Sequence, residues 1–391
     1  MNGLRIINGK VITPRGIGAG TDVFLRDGKI VAAGSPGDRV IDAEGRYVSP
    51  GFIDIHVHGG GGYDFMDGEE AAFLGVAETH VKYGTTAMLP TTLTGSEEEL
   101  LHILDVYGRV LGRNRRGAQF LGMHLEGPYF AMSQRGAQDP RYIRNPDPLE
   151  YKEILRRAHL VRRWSAAPEL PGALEFGRYA REKGVLVSWA HTDAIYEEIL
   201  EGWNNGYSLA THLYSAMTGV TRRNAFRYAG AVEAAFLIED MDVEIIADGV
   251  HLPGPLLQLV CKIKGPARTA LITDAMRAAG MPEGESVLGN IRHGQKVIVE
   301  DGVAKLPDRT AFAGSVATAD RLVRTMVQVA GVPLVDAIQM ITATPASILG
   351  LAGSKGAVLP GHDADLVLFD EDIRVHATII KGELVYEHTD L

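Results

Sequence analysis

Two histidines stand two residues apart at the end of an apolar run, Asp54-Ile55-His56-Val57-His58. On an extended strand such residues share a face, so both imidazoles point the same way. Four other runs end comparably: His124-Leu125-Glu126-Gly127-Pro128, Ala190-His191-Thr192-Asp193, Thr211-His212-Leu213 and Thr273-Asp274-Ala275. Imidazole nitrogen and carboxylate oxygen suit Zn²⁺, Fe²⁺ or Mn²⁺. A lone histidine at a strand end is ordinarily a hydrogen-bonded structural residue. Several titratable groups gathered in one apolar mouth are different, because burying them is costly unless a cation or charge partner compensates. The set predicts a site for one or two divalent ions.

Something must bring these endings to one level. The middle of the chain has eight apolar or β-branched runs, at 52–58, 85–91, 119–125, 160–166, 185–191, 208–213, 243–247 and 269–273. Helix-compatible stretches such as 69–83, 96–111, 173–183 and 196–204 lie between most of them. Eight strand–helix alternations in about 250 residues predict a (β/α)₈ TIM barrel. A doubly wound open sheet is the alternative, and both folds place sites at the carboxyl ends of the strands. The chain ends have another texture. Short β-prone runs at 4–7, 10–12, 22–25 and 29–32 are punctuated by Asn8-Gly9 and Asp27-Gly28, both favoured hairpin dipeptides. Runs at 365–369, 375–380 and 383–386 repeat the pattern around Lys381-Gly382. The two ends are expected to pair into a small β-domain (1–50 plus 355–391) beside the catalytic barrel (51–354).

Composition bounds the partners. The 391 residues carry a formal charge of −10, which argues against nucleic acid and anionic membrane surfaces. An anionic substrate would need a local basic pocket. Cys261 is the single cysteine, so no intrachain disulfide or thiolate cluster is expected. With no signal-peptide pattern at the start and no run of about 18 apolar residues, a cytoplasmic protein is expected.

The run from Pro50 to Gly59 resembles the opening signature of the amidohydrolase superfamily, whose members combine a (β/α)₈ barrel with a small β-sandwich built from both chain ends. Within it, His124-Leu125-Glu126-Gly127-Pro128, Thr211-His212-Leu213-Tyr214, Ala247-Asp248-Gly249-Val250-His251, Thr273-Asp274-Ala275 and Ala313-Gly314-Ser315 resemble the N-acetylglucosamine-6-phosphate deacetylase family. The likeness runs to Ala364-Asp365-Leu366-Val367, essentially the whole chain. It implies a divalent metal, one or two ions per subunit, with Zn²⁺ ahead of Fe²⁺, Mn²⁺ and Co²⁺. Glu126, His191 and His212 would hold the ion the family keeps, and His56 and His58 would mark members able to hold a second. Asp274 would be the catalytic acid/base. Where cyclic-amide relatives place a bridging lysine, this chain has Arg162-Arg163-Trp164, leaving Glu126 to bridge.

The resemblance also assigns substrate contacts to Ala137, Gln138, Ser215, Ala216, Arg223, Asp248, His251, Phe312, Ala313 and Gly314. Ala137-Gln138 falls where many members have a histidine that helps polarise the acetyl carbonyl and others carry glutamine, and Ser215 where an asparagine commonly helps hold phosphate. Arg223, flanked by Arg222 and Arg227, would bind phosphate, which the planar guanidinium fork suits. In the family this arginine reaches the neighbouring subunit's site, implying a homodimer. The implied reaction is deacetylation of N-acetylglucosamine 6-phosphate. The alternatives are another amino-sugar phosphate, such as the galactosamine epimer, and a non-catalytic scaffold. Adenosine-deaminase-like chemistry would need a glutamate just after the strand-5 histidine, where Thr192-Asp193 stands. His124 is expected either to support the metal ligands or to pack structurally. Gly59 to Gly62 would form a lid hinge or a plain loop.

Overall fold

The computed structural model describes residues 3–388. Its centre is a curled parallel sheet whose strands follow chain order: Phe52–Val57, Thr85–Pro90, Gln119–Phe120 continued by Met123–Glu126, Val161–Ala166, Leu186–Trp189, Tyr207–Ala210, Asp242–Ile245 and Thr269–Leu271. They lie in two hydrogen-bonded groups, split within the third run and joined by a bridge between Thr91 and His124. Beyond the eighth strand the chain returns to the first, with Asp274 N donating to His56 O and His58 N to Ala275 O, each at 2.9 Å.

Helices between the strands follow from local sequence. In Glu97–Val110 the Ser96 hydroxyl accepts from Glu99 N, three glutamates occupy the first turn and Arg109 the last. Each of these favours a helix through capping or its dipole. Leu100, Ile103, Leu104, Tyr107 and Val110 recur at helical spacing and are buried. Trp164 points outward from its strand onto Phe176, ring centroids 5.0 Å apart. Its neighbours Arg163 and Ser165 alternate to the opposite face and into the sheet's concave interior.

The chain ends share a six-stranded sheet, in the order Glu383–Glu387, Val375–Ile380, Leu366–Phe369, Tyr47–Pro50, Lys10–Thr13 and Gly16–Ala19. A four-stranded sheet of Lys29–Val31, Val23–Arg26, Leu4–Ile7 and Arg39–Asp42 accompanies it. Ile6, Leu25, Val48, Leu366 and Ile379 belong to one apolar cluster drawn from both sheets. Asp27-Gly28 turns a hairpin as expected. Asn8-Gly9 does not: the strands on either side pair with other partners, and the turn carries the chain from one sheet to the other. Gly9 lies so close to Val48 that a Cβ would meet its side chain at 2.6 Å. Sequence reading also passed over a three-stranded antiparallel sheet, Gly284–Leu288, Gln295–Glu300 and Val303–Lys305, beside the strand ends. Among the described residues no helix is long and apolar enough to cross a membrane.

Candidate metal centre and cavity

The carboxyl ends of the first, third, fifth, sixth and eighth strands deliver His56 and His58, Glu126, His191, His212 and Asp274 to one buried cluster. The sheet ladder sets their level, and the local backbone aims them. His191, His212 and Asp274 have φ of 48°, 30° and 47°, the left-handed region. Such conformations cost free energy and persist where the surroundings enforce them, often at functional sites.

His56 Nε2 lies 3.2 Å from His58 Nε2. Glu126 Oε1 is 3.0 Å from His212 Nε2 and 3.5 Å from both His191 Nε2 and His56 Nε2. Glu126 Oε2 is 3.5 Å from His58 Nε2, and Asp274 Oδ1 lies 3.1 Å from the same atom. Ligand atoms of His56, His58 and Glu126 fall within 4.8 Å of one another, as do those of Glu126, His191 and His212. Glu126 is common to both trios.

Burial alone would push His58 down, but its hydrogen bond to Asp274 and the charges of Glu126 and Asp274 outweigh that and carry it up to about 9. Burial raises Glu126, yet the charge of His56 and hydrogen bonds from His191 and His212 hold it well below the usual carboxylate range. Asp274 is also lowered, burial being overcome by His56 and His58. Burial wins at His56, which is lowered, and at His124, where Arg163 and His56 push the same way. The cluster thus holds two ionised carboxylates and draws positive charge into the space between them.

A divalent cation fits that demand. Four Nε2 atoms and two carboxylates converge, and two ring nitrogens facing each other at 3.2 Å either share one proton or offer lone pairs to a common centre. Nitrogen and oxygen donors of this kind match Zn²⁺, Mn²⁺ or Fe²⁺. His191 Nδ1 is anchored on Gln134 O at 2.8 Å, the outer contact typical of a ligating imidazole. Asp193 steadies that loop by accepting from Gln134 Nε2 at 2.6 Å and from the Ser133 hydroxyl.

The centre floors a cavity of about 420 Å³. Ala137, Gln138, Ser215, Ala216, His251, Phe312 and Gly314 line it. Asp248 and Ala313 are buried behind the wall. Asp248 accepts from His251 Nδ1 at 2.8 Å and fixes that ring, while Phe312 packs against it with centroids 4.7 Å apart. Gln138 is already engaged: its Nε2 donates to Glu126 Oε2 at 2.7 Å and its Oε1 accepts from Thr94 N at 2.9 Å. Arg223 is not brought to this chain's cavity. It sits exposed on a hairpin of Thr221–Arg223 and Phe226–Tyr228 with Arg222 and Arg227, its guanidinium 5.5 Å from the Tyr228 ring centre.

His124 supports rather than joins the cluster. Its ring stands edge-on to His56, centroids 4.6 Å apart, and its Nε2 lies 2.6 Å from Ser165 Oγ. Gly59 to Gly62 prove to be a packed turn: Gly59–Gly60 pairs with Tyr63–Asp64, and His80 Nε2 lies 2.9 Å from Gly59 O. His80, given no role from sequence, therefore braces the residues after His58. Asp54 was also passed over; it accepts from His56 N at 3.2 Å and from the Thr273 hydroxyl, tying first strand to eighth. Burial raises its carboxyl to about 7, with the hydrogen bonds from Thr273 and His56 opposing and the like charge of Glu244 adding to the rise. Glu244 and Arg163 were missed as a pair. Each shares its strand with a second charge, Arg162 with Arg163 and Asp242 with Glu244, so charge on an apolar strand did not mark out this pair.

Fold and centre together are those of a hydrolytic enzyme built on a curled parallel α/β sheet. The amidohydrolase family model matches residues 47–385, and the chain belongs to that family. It is 33% identical over 390 residues to the N-acetylglucosamine-6-phosphate deacetylase of Lysinibacillus sphaericus, covering 97% of each chain. It is likewise 33% identical to the N-acetylgalactosamine-6-phosphate deacetylase of Escherichia coli O157:H7, covering 92% of this chain and 93% of that one. A mutant N-acetyl-D-glucosamine-6-phosphate deacetylase from Mycobacterium smegmatis, solved in complex with N-acetyl-D-glucosamine-6-phosphate, superposes with a TM-score of 0.89 at 31% identity, covering 98% of this chain and 100% of that one.

Proposed function

We propose that the chain hydrolyses N-acetylglucosamine 6-phosphate to glucosamine 6-phosphate and acetate, as a zinc-dependent cytoplasmic homodimer. The observation that carries this reading is the convergence of four imidazoles and two carboxylates on the cavity floor. Glu126, His191 and His212 would hold one divalent ion, with His56, His58 and the shared Glu126 offering a place for a second. The chemistry such a cation supplies when bound is Lewis acidity, toward water and toward an acyl oxygen.

Asp274 is lowered and ionised, so it can accept a proton from water as the new oxygen–carbon bond forms. Returned to nitrogen as the carbon–nitrogen bond breaks, that proton leaves as part of the amine, and the acetyl group leaves as acetate. Gln138 holds Glu126 in place and lines the cavity, so its second amide hydrogen would be the donor to the acetyl oxygen. His251, fixed by Asp248, and the wall of Ala137, Ser215, Ala216, Phe312, Ala313 and Gly314 would seat the sugar. Arg223, on an exposed hairpin, would serve phosphate in the neighbouring subunit's cavity. We read the eight strands as a closed (β/α)₈ barrel (51–354) and the two end sheets as a β-sandwich domain (1–50 plus 355–391). Backbone bonds from Asp274 and His58 back to the opposite strand support closure.

Acetate release from N-acetylglucosamine 6-phosphate, its galactosamine epimer and the unphosphorylated sugar, with metal quantified per chain, tests the reading. Turnover of the first that vanishes on metal removal supports it. Faster turnover of the epimer would reassign the sugar, and metal-loaded protein inactive on all three would overturn the proposal.

A further inference from the structure

Beneath the cluster lies a second charged pair that the proposed chemistry does not use. Arg163 on the fourth strand and Glu244 on the seventh are both 0% exposed. Arg163 Nη2 donates to Glu244 Oε2 at 2.8 Å and Nη1 donates to Oε1. Its other N–H groups reach Thr211 Oγ1 at 2.8 Å, Ser188 Oγ at 2.9 Å and Ile55 O at 3.2 Å. The fork is fully satisfied and cannot turn. Stability does not account for it, since an apolar pair of similar volume is commonly as stable as a buried ion pair.

His56 gives it a purpose. The His56 Nδ1 atom is buried, has no hydrogen-bond partner, and faces Glu244 Oε2 at 3.6 Å. Its Nε2 points the other way, toward His58, Glu126 and Asp274. For Nε2 to offer a lone pair to a cation, the ring proton must sit on Nδ1, and Glu244 is the carboxylate waiting there. A ring shift of under about 1 Å would bring the pair to hydrogen-bond distance.

We infer that the Arg163–Glu244 pair is a positioning element for His56, fixing its tautomer and ring direction and thereby the site formed by His56, His58 and Glu126. The inference rests on the metal-dependent reading above. Carboxylates behind ligating histidines typically matter about 10–100-fold in metal affinity.

The test uses the full-length chain with Zn²⁺ as the probe. Arg163→Met combined with Glu244→Leu removes both charges together, and Glu244→Gln keeps the side chain's shape. In chelator competition the double variant should lose about 10–100-fold in affinity for the weaker Zn²⁺ equivalent, with the tighter one changing less than about threefold. In metal-free Glu244→Gln, long-range ¹H–¹⁵N spectra should show the Nδ1–H fraction of the His56 ring falling, because a neutral amide oxygen accepts that proton less strongly than a carboxylate. A folded double variant with wild-type affinity at both equivalents overturns the inference, as does an unchanged His56 spectrum in Glu244→Gln. Should the double variant not fold, the spectrum decides. Wild-type protein that binds a single equivalent at saturating Zn²⁺, with His56 signals unmoved, also overturns it. Wild-type protein that binds no Zn²⁺ overturns the proposed function instead.

Discussion

Replacing Asp274 with asparagine isolates proton transfer from everything else the residue does. Asp274 sits at φ 47°, a region that asparagine enters more readily than most residues, so the backbone should hold. Its N–H bond to His56 O at 2.9 Å does not involve the side chain. An amide oxygen can also keep the 3.1 Å approach to His58 Nε2. What disappears is a group that can take up a proton. Acid–base catalysis is worth about 10²–10⁴ in rate, equivalent to about 3–5 kcal/mol of barrier. Asp274→Asn should therefore lower kcat for acetate release by about that factor, with KM within a few-fold of wild type and bound metal matched at saturating Zn²⁺. The reading fails if the variant, at equal metal content, retains a tenth or more of wild-type kcat.

Other expectations can be checked in parallel. Gln138→Ala frees Glu126 Oε2 from its 2.7 Å bond; losing a hydrogen bond to a charged group should weaken metal binding by about 1.5–3 kcal/mol, read by chelator competition. Arg223→Ala should raise KM for the 6-phosphorylated sugar at least about tenfold while leaving the unphosphorylated sugar unchanged, as a loss of about 1.4 kcal/mol or more in phosphate binding requires; equal effects on both would remove phosphate from its role. Lys355 donates to Asp365 at 2.6 Å with both side chains 8% exposed, so Lys355→Ala should cost about 3–5 kcal/mol in urea unfolding. Burial opposes but the carboxylates prevail, raising Lys355 above 10.5; its contribution is thus fully present below the unfolded value and lost only as pH climbs through the folded one. The difference between wild type and variant should match at pH about 7 and about 9, and a deficit that shrinks at the higher value would refute the sign. Chelation should lower the melting temperature, since a ligand at 100 times its Kd stabilises by about 2.7 kcal/mol; an unmoved melt would speak against a bound ion.

Much of the centre was legible because each ligand type closes an apolar run. His56, His58, Glu126, His191, His212 and Asp274 could be named from strand endings, and the ladder brings them together. Strand limits moved by a few residues because His191, His212 and Asp274 sit in the left-handed turns that end the ladder, and apolarity alone does not mark such a turn. The Asn8-Gly9 turn misled for another reason. Its dipeptide reports local geometry, while pairing is set by distant partners such as Val48 for Val11 and Val40 for Arg5. The Arg163–Glu244 pair was illegible in kind: two charges 81 residues apart become partners only once the sheet curls. The three-stranded sheet beside the cavity has ordinary alternating strands, and nothing in their spacing tells where they dock.

The meeting of the two chain ends bears on how the protein is made. Lys29 and Asp363 meet across 334 residues, and Lys10 and Glu371 across 361. At ribosomal speeds of about 5–20 residues per second, the earliest strands wait about 20–70 s for the neighbours that complete them. Until then Tyr47–Pro50 offers an unpaired edge where Leu366–Phe369 will lie, a template that any other extended chain could occupy. Synthesis in a cell without holding chaperones should therefore favour aggregation of nascent chains over loss of the finished fold.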